Sequence, residues 1–177
     1  QLFLSKGFQE VVTNPFRDIS IKNSNSITLQ NPLNNELSSL RQNLLEKIID
    51  IFETNLRLQT HTGKYFEIGR VFTKNEHGEF HEQENISGIF QVGQTKKTKE
   101  PNFEWFMAKG FIEHIFFQFG YKNIRFVTLT ASNSQQTLLY HPTKSTCIIH
   151  GDKCLGIFGE VNPNLSNFKN LKFSTYI

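Results

Sequence analysis

The segment Tyr65-Phe66-Glu67-Ile68-Gly69-Arg70-Val71-Phe72 is the start of the fold prediction. Apolar and polar side chains alternate along enough of it to predict a β-strand, because successive strand residues point to opposite faces of a sheet. A second strand is predicted over residues 86–92. The polar residues 77–84 between the two strands are predicted to form a hairpin loop or a lid. Neighbouring strands joined by a short polar segment indicate antiparallel pairing.

One helix is predicted before this hairpin and one after it. The upstream helix carries an apolar stripe with spacings of three and four residues, which is typical of one buried helix face. The stripe consists of Leu40, Leu44, Leu45, Ile48, Ile49, Phe52 and Leu56. The downstream helix is predicted over residues 103–119, and Gly120 after it is a plausible stop. Both helices are expected to pack against the sheet.

Shorter strands are predicted toward both ends of the chain. They cover residues 8–13, 27–29, 124–129, 146–150, 154–158 and 172–177, with a helical turn at 165–168. The strands at 146–150 and 154–158 flank Gly151-Asp152, which predicts a hairpin. Consecutive hairpins with two interposed helices favour an α+β fold built on a mainly antiparallel sheet. At 177 residues, without a repeat or linker, we expect a single module over 1–177 that is a fragment of a longer chain.

The composition excludes several classes of protein. A net charge of +3 without a strongly basic stretch argues against autonomous nucleic-acid binding. Two cysteines exclude a disulfide-rich scaffold and a four-cysteine zinc site. No apolar run approaches the ~20 residues that a membrane span needs. Phe (18), Asn (17), Ile (16) and Lys (14) are abundant while Ala (2) and Arg (5) are rare, which indicates an AT-rich genome.

The geometry of the predicted hairpin indicates whether its two cysteines, Cys147 and Cys154, can form a disulfide. If Gly151-Asp152 makes the turn, Ile149 lies opposite Cys154, and Cys147 is a diagonal neighbour at roughly 7–8 Å. That separation exceeds the Cα distance below ~7 Å that is usual for a disulfide. We therefore expect two reduced, buried thiols.

Other polar motifs have a structural interpretation and a chemical one. His77 and His81 are four residues apart, a spacing that could chelate a metal on a helix, but the segment is predicted to be a solvated loop. Gly156, Gly159 and the preceding Gly151 occur in a strand pattern, so they indicate a bend or close backbone approach rather than a phosphate loop. A run of lysines is interpreted as a solvated loop, with RNA phosphate contact as the alternative. The run consists of Lys96, Lys97 and Lys99.

Five charged or titratable residues beside apolar stretches are the candidate site residues. They are Arg41, Glu67, Arg70, Lys109 and His141. Charges in such positions need partners when they are buried. Arg41 and Arg70 could pair with Glu36, Glu67 or Glu113. The set is interpreted as a structural ion-pair network, with a subunit contact and a substrate site as alternatives.

Five blocks, in order along nearly the whole chain, resemble the C-terminal catalytic-like module of the phenylalanine–tRNA ligase β subunit of bacterial and organellar type. The blocks are residues 7–13, residues 31–45 with their Asn-Pro-Leu and Leu-Arg sequences, residues 66–72 (FEIGRVF), Phe106 with Lys109-Gly110 and Glu113, and residues 141–163 with Gly-Ile-Phe-Gly-Glu-Val-Asn-Pro at their end. The third and fifth blocks in series are the most specific. The sequence departs from the family pattern at Asn14-Pro15, Thr143-Lys144 and Asn162.

The resemblance implies a class II aminoacyl-tRNA synthetase-like fold, an antiparallel sheet flanked by helices, in which the β module has lost its active site. A class II site needs two arginines that hold the ATP phosphates, a task for which lysine is no equal substitute. Arg70 lies in the matching strand but lacks the Arg-x-Glu context. Glu160, not an arginine, follows the glycine strand. The resemblance therefore implies no catalytic, cofactor-binding or metal residue in this module.

By resemblance, the module scaffolds the catalytic α subunit in a heterotetramer of two α and two β chains. The whole enzyme attaches phenylalanine to tRNA(Phe) with ATP and Mg²⁺, and no membrane is involved. The AT-rich bias favours a plastid-encoded chain in the chloroplast stroma, with the cytoplasm of an AT-rich bacterium as the alternative. Rival functions are an active class II-like adenylating enzyme and a stand-alone RNA-binding or dimerisation module.

Overall fold

The protein is described by a computed structural model that covers residues 1–18, 25–58, 63–92, 103–129, 138–165 and 174–177. Its contacts divide the chain into two compact units. The first unit comprises Phe3–Ile89 with Gln1, and the second comprises Phe90–Ile177 with Leu2. The prediction of a single module over 1–177 stays a prediction.

Three α-helices and nine strands make up the described fold. In chain order they are α1 (Leu2–Ser5), β1 (Gln9–Glu10), β2 (Phe16–Arg17), a 3-10 turn (Asn35–Leu37), β3 (Ser39–Leu40), α2 (Leu45–Arg57), β4 (Tyr65–Lys74), β5 (Phe80–Val92), α3 (Phe103–Gln118), β6 (Arg125–Thr128), β7 (Tyr140–His150), β8 (Lys153–Val161) and β9 (Ser174–Tyr176). Among the strand pairings of the described residues, β1 with β4 is the only parallel one. The predicted α+β class with a mainly antiparallel sheet is confirmed.

In the first unit, the hydrogen-bonded strand order is β1-β4-β5. β4 and β5 pair without interruption from Tyr65 opposite Ile89 to Lys74 opposite Phe80. The loop or lid predicted over 77–84 is therefore wrong for most of its length. A tight turn replaces it, in which the Asn75 side chain accepts from the Glu79 N–H at 2.8 Å and Gly78 adopts a φ of +85°. This turn lets the pairing run through polar residues.

The helix α2 supplies the apolar face that the sequence predicted. Its buried residues are Leu45, Ile48, Ile49 and Phe52, and Leu44 just before the helix is also buried. The helix begins later than the stripe, because the Asn43 side chain accepts from the Glu46 N–H at 3.1 Å. Leu40 lies in β3 instead, opposite Phe16 of β2.

In the second unit, the strand order is β5-β9-β8-β7-β6, with the last three residues of β5 paired to β9. Aromatic rings fill its interior. The centre of the Trp105 ring of α3 lies 5.1 Å from the centre of the Phe158 ring and 6.1 Å from that of Tyr176. The Phe158 and Tyr176 rings stack with their centres 5.8 Å apart. The ring of Phe90, which lies in β5, has its centre 5.8 Å from the centre of the Tyr176 ring. The C-terminal residues thus occupy an interior strand of this unit.

The hairpin of β7 and β8 contains an irregularity that changes the cysteine prediction. Ile149 lies opposite Cys154 as predicted, but the register shifts by one residue between Ile148 and Ile149. Such bulges bend and twist a strand. The Cα atoms of Cys147 and Cys154 are 6.3 Å apart, and the two residues form a disulfide. The prediction of two reduced thiols is wrong because it assumed a regular ladder.

Several predictions fall outside the described residues. They are the lysine run at 96, 97 and 99, most of the helical turn at 165–168, and the beginning of the strand at 172–177. Among the described residues, no helix is long and apolar enough to cross a membrane.

Candidate functional site

Arg41 and Glu67 form a buried ion pair in the first unit. The Arg41 Nη1 donates to Glu67 Oε1 at 2.7 Å, and the two residues are 7% and 2% exposed. Thr13 completes the cluster, since its hydroxyl donates to Glu67 Oε2 at 2.8 Å and accepts from Arg41 Nη1 at 2.9 Å. The Thr13 N–H also donates to Glu67 Oε1 at 3.2 Å. We call these three residues the buried triad.

The strand β4 positions the triad through its alternation. Glu67 lies on the same face as buried Tyr65 and Val71. Arg41 is tied to β4 through its backbone and its side chain, since its carbonyl accepts from the Phe72 N–H at 2.9 Å and its Nε donates to the Arg70 carbonyl at 2.8 Å. These bonds fix the guanidinium against the strand.

Gly69 leaves the space that the guanidinium occupies. A Cβ added at Gly69 would collide with Arg41 Nη2 and lie 3.3 Å from Glu67 Oε1. A side chain at this position is therefore incompatible with the Arg41 conformation. The Glu-Ile-Gly sequence of β4 is explained by this contact.

Arg70 lies on the opposite face of β4 and is engaged differently. Its Nη1 lies 2.6 Å from Glu82 Oε1, and the two side chains are 67% and 48% exposed. Glu82 was not among the predicted partners, because the pairing of β4 with β5 was not anticipated through this polar segment. The guanidinium is paired with a carboxylate on a neighbouring strand.

The turn after β4 gathers polar side chains without forming a metal site. The Asn75 Nδ2 lies 2.7 Å from Glu79 Oε2 and 3.3 Å from His81 Nε2, while His77 is exposed. In the part of the chain that the structure describes, no three His, Cys, Asp or Glu side chains form a group that could hold a metal ion. The arrangement agrees with hydrogen bonds that close the turn.

Lys109 and His141 belong to the second unit. The Lys109 Nζ lies 3.6 Å from Glu113 Oε1, one helical turn away, and 4.8 Å from the centre of the Phe126 ring. The His141 Nδ1 accepts from the Thr143 N–H at 3.1 Å. Within the first unit, the structure brings together Arg41, Glu67 and the Arg70 backbone.

The glycine strand lies inside a hairpin rather than before a helix. Gly159 exchanges two backbone hydrogen bonds with Ile177, at 3.0 and 2.9 Å. A Cβ at Gly159 would lie 2.7 Å from the Ser145 Cβ and 2.9 Å from the Lys144 carbonyl. Close backbone approach is confirmed as the reason for this glycine. Glu160, which follows it, pairs with Lys144 Nζ at 2.7 Å.

Two buried tyrosines have phenol pKa values that are strongly raised. Burial raises the pKa of the Tyr140 phenol well above its ordinary value. Burial also raises the pKa of Tyr176, the charges of Glu160 and Glu104 raise it further, and a hydrogen bond with Ser174 opposes the rise. Both phenols therefore remain neutral at physiological pH and act as packing groups.

Sequence reasoning did not identify Thr13 or Arg17 as members of the polar interior. Arg17 is 4% exposed, and its Nη2 lies 3.5 Å from Glu46 Oε2. Both residues act through segments distant in sequence, so no local spacing marks them. The available signal was the position of the polar Thr13 at the end of a predicted strand.

Comparisons with known proteins match the whole chain. The family model described as "Phenylalanyl tRNA synthetase beta chain CLM domain" matches residues 1–177. A phenylalanine–tRNA ligase beta subunit of Trichormus variabilis is 36% identical over 85% of this chain and 18% of its own length. A chloroplastic beta subunit of Phaeodactylum tricornutum is 32% identical over 86% of this chain and 22% of its own length. The chain spans about a fifth of these relatives.

Among solved structures, a pyrrolysyl-tRNA synthetase from Desulfitobacterium hafniense superposes with a TM-score of 0.67 at 16% identity. The match covers 98% of this chain and 59% of that one. At this identity, the likeness establishes the fold, which is that of a class II aminoacyl-tRNA synthetase.

Proposed function

The chain belongs to the phenylalanyl-tRNA synthetase beta chain CLM domain family, and from that premise we propose that it is a non-catalytic core module of a phenylalanine–tRNA ligase. The module scaffolds the catalytic α subunit, which attaches phenylalanine to tRNA(Phe). ATP and Mg²⁺ serve the α subunit. The assembled enzyme contains two α and two β chains.

The buried triad is the observation that supports a scaffolding role most directly. Arg41 and Glu67 fill an interior position beside β4 and neutralise each other at 2.7 Å. Thr13 satisfies further hydrogen bonds of both charges. A charge pair closed in this way holds three segments together and leaves its guanidinium no freedom to bind phosphate.

The rival adenylating function needs arginines that converge on phosphate. Arg70, the candidate in the matching strand, is in an ion pair with Glu82 at 2.6 Å. Glu160, which follows the glycine strand, is paired with Lys144 and supplies no guanidinium for a triphosphate. These observations favour the scaffold over the enzyme. They give no support to a stand-alone RNA-binding module either, since the candidate lysine run lies outside the described residues.

We place the protein in the chloroplast stroma, with the cytoplasm of an AT-rich bacterium as the alternative. The support is the AT-rich amino-acid usage together with a chloroplastic relative at 32% identity. Fractionation of source cells tests this assignment, and recovery of the protein outside plastids would contradict it.

The proposed function is tested by phenylalanine-dependent exchange of pyrophosphate into ATP. The full β chain is purified alone and together with the α chain, and we expect exchange only in the complex. The variant Arg70→Ala in the β chain is expected to leave exchange within about twofold of wild type, because this side chain is paired with Glu82 on the exposed face of β4. Exchange by the β chain alone, or its loss on Arg70→Ala, would favour the adenylating enzyme. Failure of the two chains to co-purify would contradict the scaffold.

A further inference from the structure

We propose that Cys147 and Cys154 form a reversible redox site that exchanges with small dithiols or with dithiol reductants of the thioredoxin class. The disulfide joins β7 to β8 across the bulge between Ile148 and Ile149. The Cα separation of 6.3 Å falls within the range that a disulfide spans. The site is independent of the scaffolding role proposed above, and its reducing surroundings rest on the proposed location.

The two cysteines lie on the outer face of the second unit. Along β7, Cys147 and Ile149 alternate with Ile148, which is 3% exposed and faces the interior. The register places Cys154 opposite Ile149, so both sulfurs lie on the face away from Ile148. Cys154 is exposed and Cys147 is half-buried. A reductant can therefore reach the Cys154 sulfur without opening the interior.

The position of Cys154 makes it the first sulfur that an exchange partner reaches. Cys154 comes shortly after the turn at Gly151-Asp152 and is exposed, whereas Cys147 lies within β7 and is half-buried. After reduction, the exposed Cys154 thiol is also the one that meets a partner disulfide first when the bond is formed again.

The exchange is written with its electrons balanced. A thiolate of the reductant attacks the Sγ of Cys154, forms a mixed disulfide and expels the Cys147 thiolate. The second thiolate of the reductant then attacks its own sulfur in the mixed disulfide, which releases the Cys154 thiolate and the oxidised reductant. Two electrons pass to the cysteines, and the resulting thiolates take up protons according to their pKa. Oxidation of the site runs along the same steps in reverse.

An exposed disulfide between nearby residues is better suited to exchange than to global stabilisation. The two cysteines are seven residues apart, so the bond closes a short loop and removes little entropy from the unfolded chain. In compartments that glutathione and thioredoxin keep reducing, disulfides are mostly transient or redox-sensing. Exchange at this site would change how firmly the tip of the hairpin is held.

The test is differential alkylation of the full β chain, followed by mass spectrometry of the peptide that contains both cysteines. The protein is equilibrated in glutathione buffers from oxidising to reducing, and also with reduced thioredoxin. We expect the peptide to pass from no alkylated cysteine to two within this range. Two free thiols in every buffer, or a disulfide that resists the most reducing buffer and thioredoxin, would overturn the proposal.

Single-cysteine variants test whether Cys154 is the accessible sulfur of the pair. In Cys147→Ser, the remaining Cys154 is expected to react with iodoacetamide at least about tenfold faster than Cys147 does in Cys154→Ser, because Cys154 is exposed and Cys147 is half-buried. Equal rates in the two single variants would contradict the assignment of Cys154 as the sulfur that a partner reaches first. The wild-type titration decides reversibility even if a variant fails to fold.

Discussion

The interior of the first unit contains an ion pair, whereas the described interior of the second is dominated by aromatic rings. Arg41 and Glu67 meet at 2.7 Å with a third polar partner. The rings of Trp105, Phe158 and Tyr176 pack together in tilted and stacked arrangements, with their centres 5.1 to 6.1 Å apart. Hydrogen bonds between charges require one geometry, while apolar contacts tolerate changes that keep volume. The two units should therefore respond differently to equally conservative substitutions.

The largest effect is expected for Glu67→Gln. The substitution keeps the shape but removes the charge, which leaves Arg41 buried without its counter-ion. Breaking a buried pair in this way costs about 3–5 kcal/mol. Native-state hydrogen exchange at β4 amides measures the loss as a lower opening free energy.

The matched control for Glu67→Gln is Phe158→Leu in the second unit. Phe158 is 1% exposed, and its replacement by another apolar side chain is expected to cost under about 1.5 kcal/mol at β8 amides. If Phe158→Leu costs more than Glu67→Gln, the contrast between the two interiors is refuted.

The next largest effect is expected for Gly69→Ala. The new methyl group collides with the Arg41 guanidinium, and such overpacking costs about 1–3 kcal/mol. The control is Gly110→Ala in α3, where a Cβ meets nothing within 4 Å. Alanine is the better helix former, so this variant should gain roughly 0.5–1 kcal/mol. A lower opening free energy at β4 amides in Gly69→Ala together with a higher one at α3 amides in Gly110→Ala would support this difference between the two glycine positions. A lower opening free energy in both variants would contradict it.

Alkaline pH should weaken the second unit through Tyr176. Its pKa is raised in the folded state, so the unfolded chain releases the proton first, at its ordinary pKa of 10.0. The stability from a neutral phenol is complete below about pH 10 and is lost as pH rises. The loss from one tyrosine is about 1.4 kcal/mol by pH 11.

The variant Tyr176→Phe isolates this contribution. It should flatten the decline of the β9 opening free energy between pH 9 and about pH 11, while Tyr140, which shares the direction of shift, continues to contribute. An unchanged slope in Tyr176→Phe would show that Tyr176 is not the titrating group.

Local patterns of the sequence predicted the elements whose signals are local. The stripe through Ile48 and Phe52 gave α2, and the Gly151-Asp152 turn placed Ile149 opposite Cys154. The position of β9 between β5 and β8 was beyond local reasoning, because its pairing joins Phe90 to Tyr176 across most of the second unit. Such pairing depends on tertiary packing rather than on propensity.

The same limit explains the candidate site. Proximity to apolar stretches correctly suggested that Arg41 and Glu67 have partners, and the structure pairs them. The same reasoning did not find the partner of Arg70. Glu82 lies opposite Phe72 where β4 pairs with β5, and this pairing runs through a polar segment that was not predicted to be a strand. The cysteine prediction failed at a bulge, which has no sequence signature in residues 147–154. Register irregularities and long-range contacts were the parts that sequence could not supply.

The smallest effect on stability is expected for the exposed one of the two ion pairs of β4. Arg41–Glu67 lies on the buried face, whereas Arg70–Glu82 lies on the exposed face with side chains 67% and 48% accessible. Water and salt screen the exposed pair, so Arg70→Ala is expected to cost under about 1 kcal/mol. A double-mutant cycle with Glu82→Ala, measured at low and high salt, should give a coupling energy that salt nearly abolishes.

If burial rather than charge explains the strength of the triad, its coupling must behave differently from that of Arg70 and Glu82. The cycle between Arg41→Met and Glu67→Leu should show a large coupling that changes little with salt, since removing both charges avoids leaving one unpaired. In the double variant, much of the loss seen in either single variant should be recovered. Equal salt sensitivity at the two pairs would mean that solvent reaches Glu67. The ion pair of the first unit would then contribute no more than a surface pair.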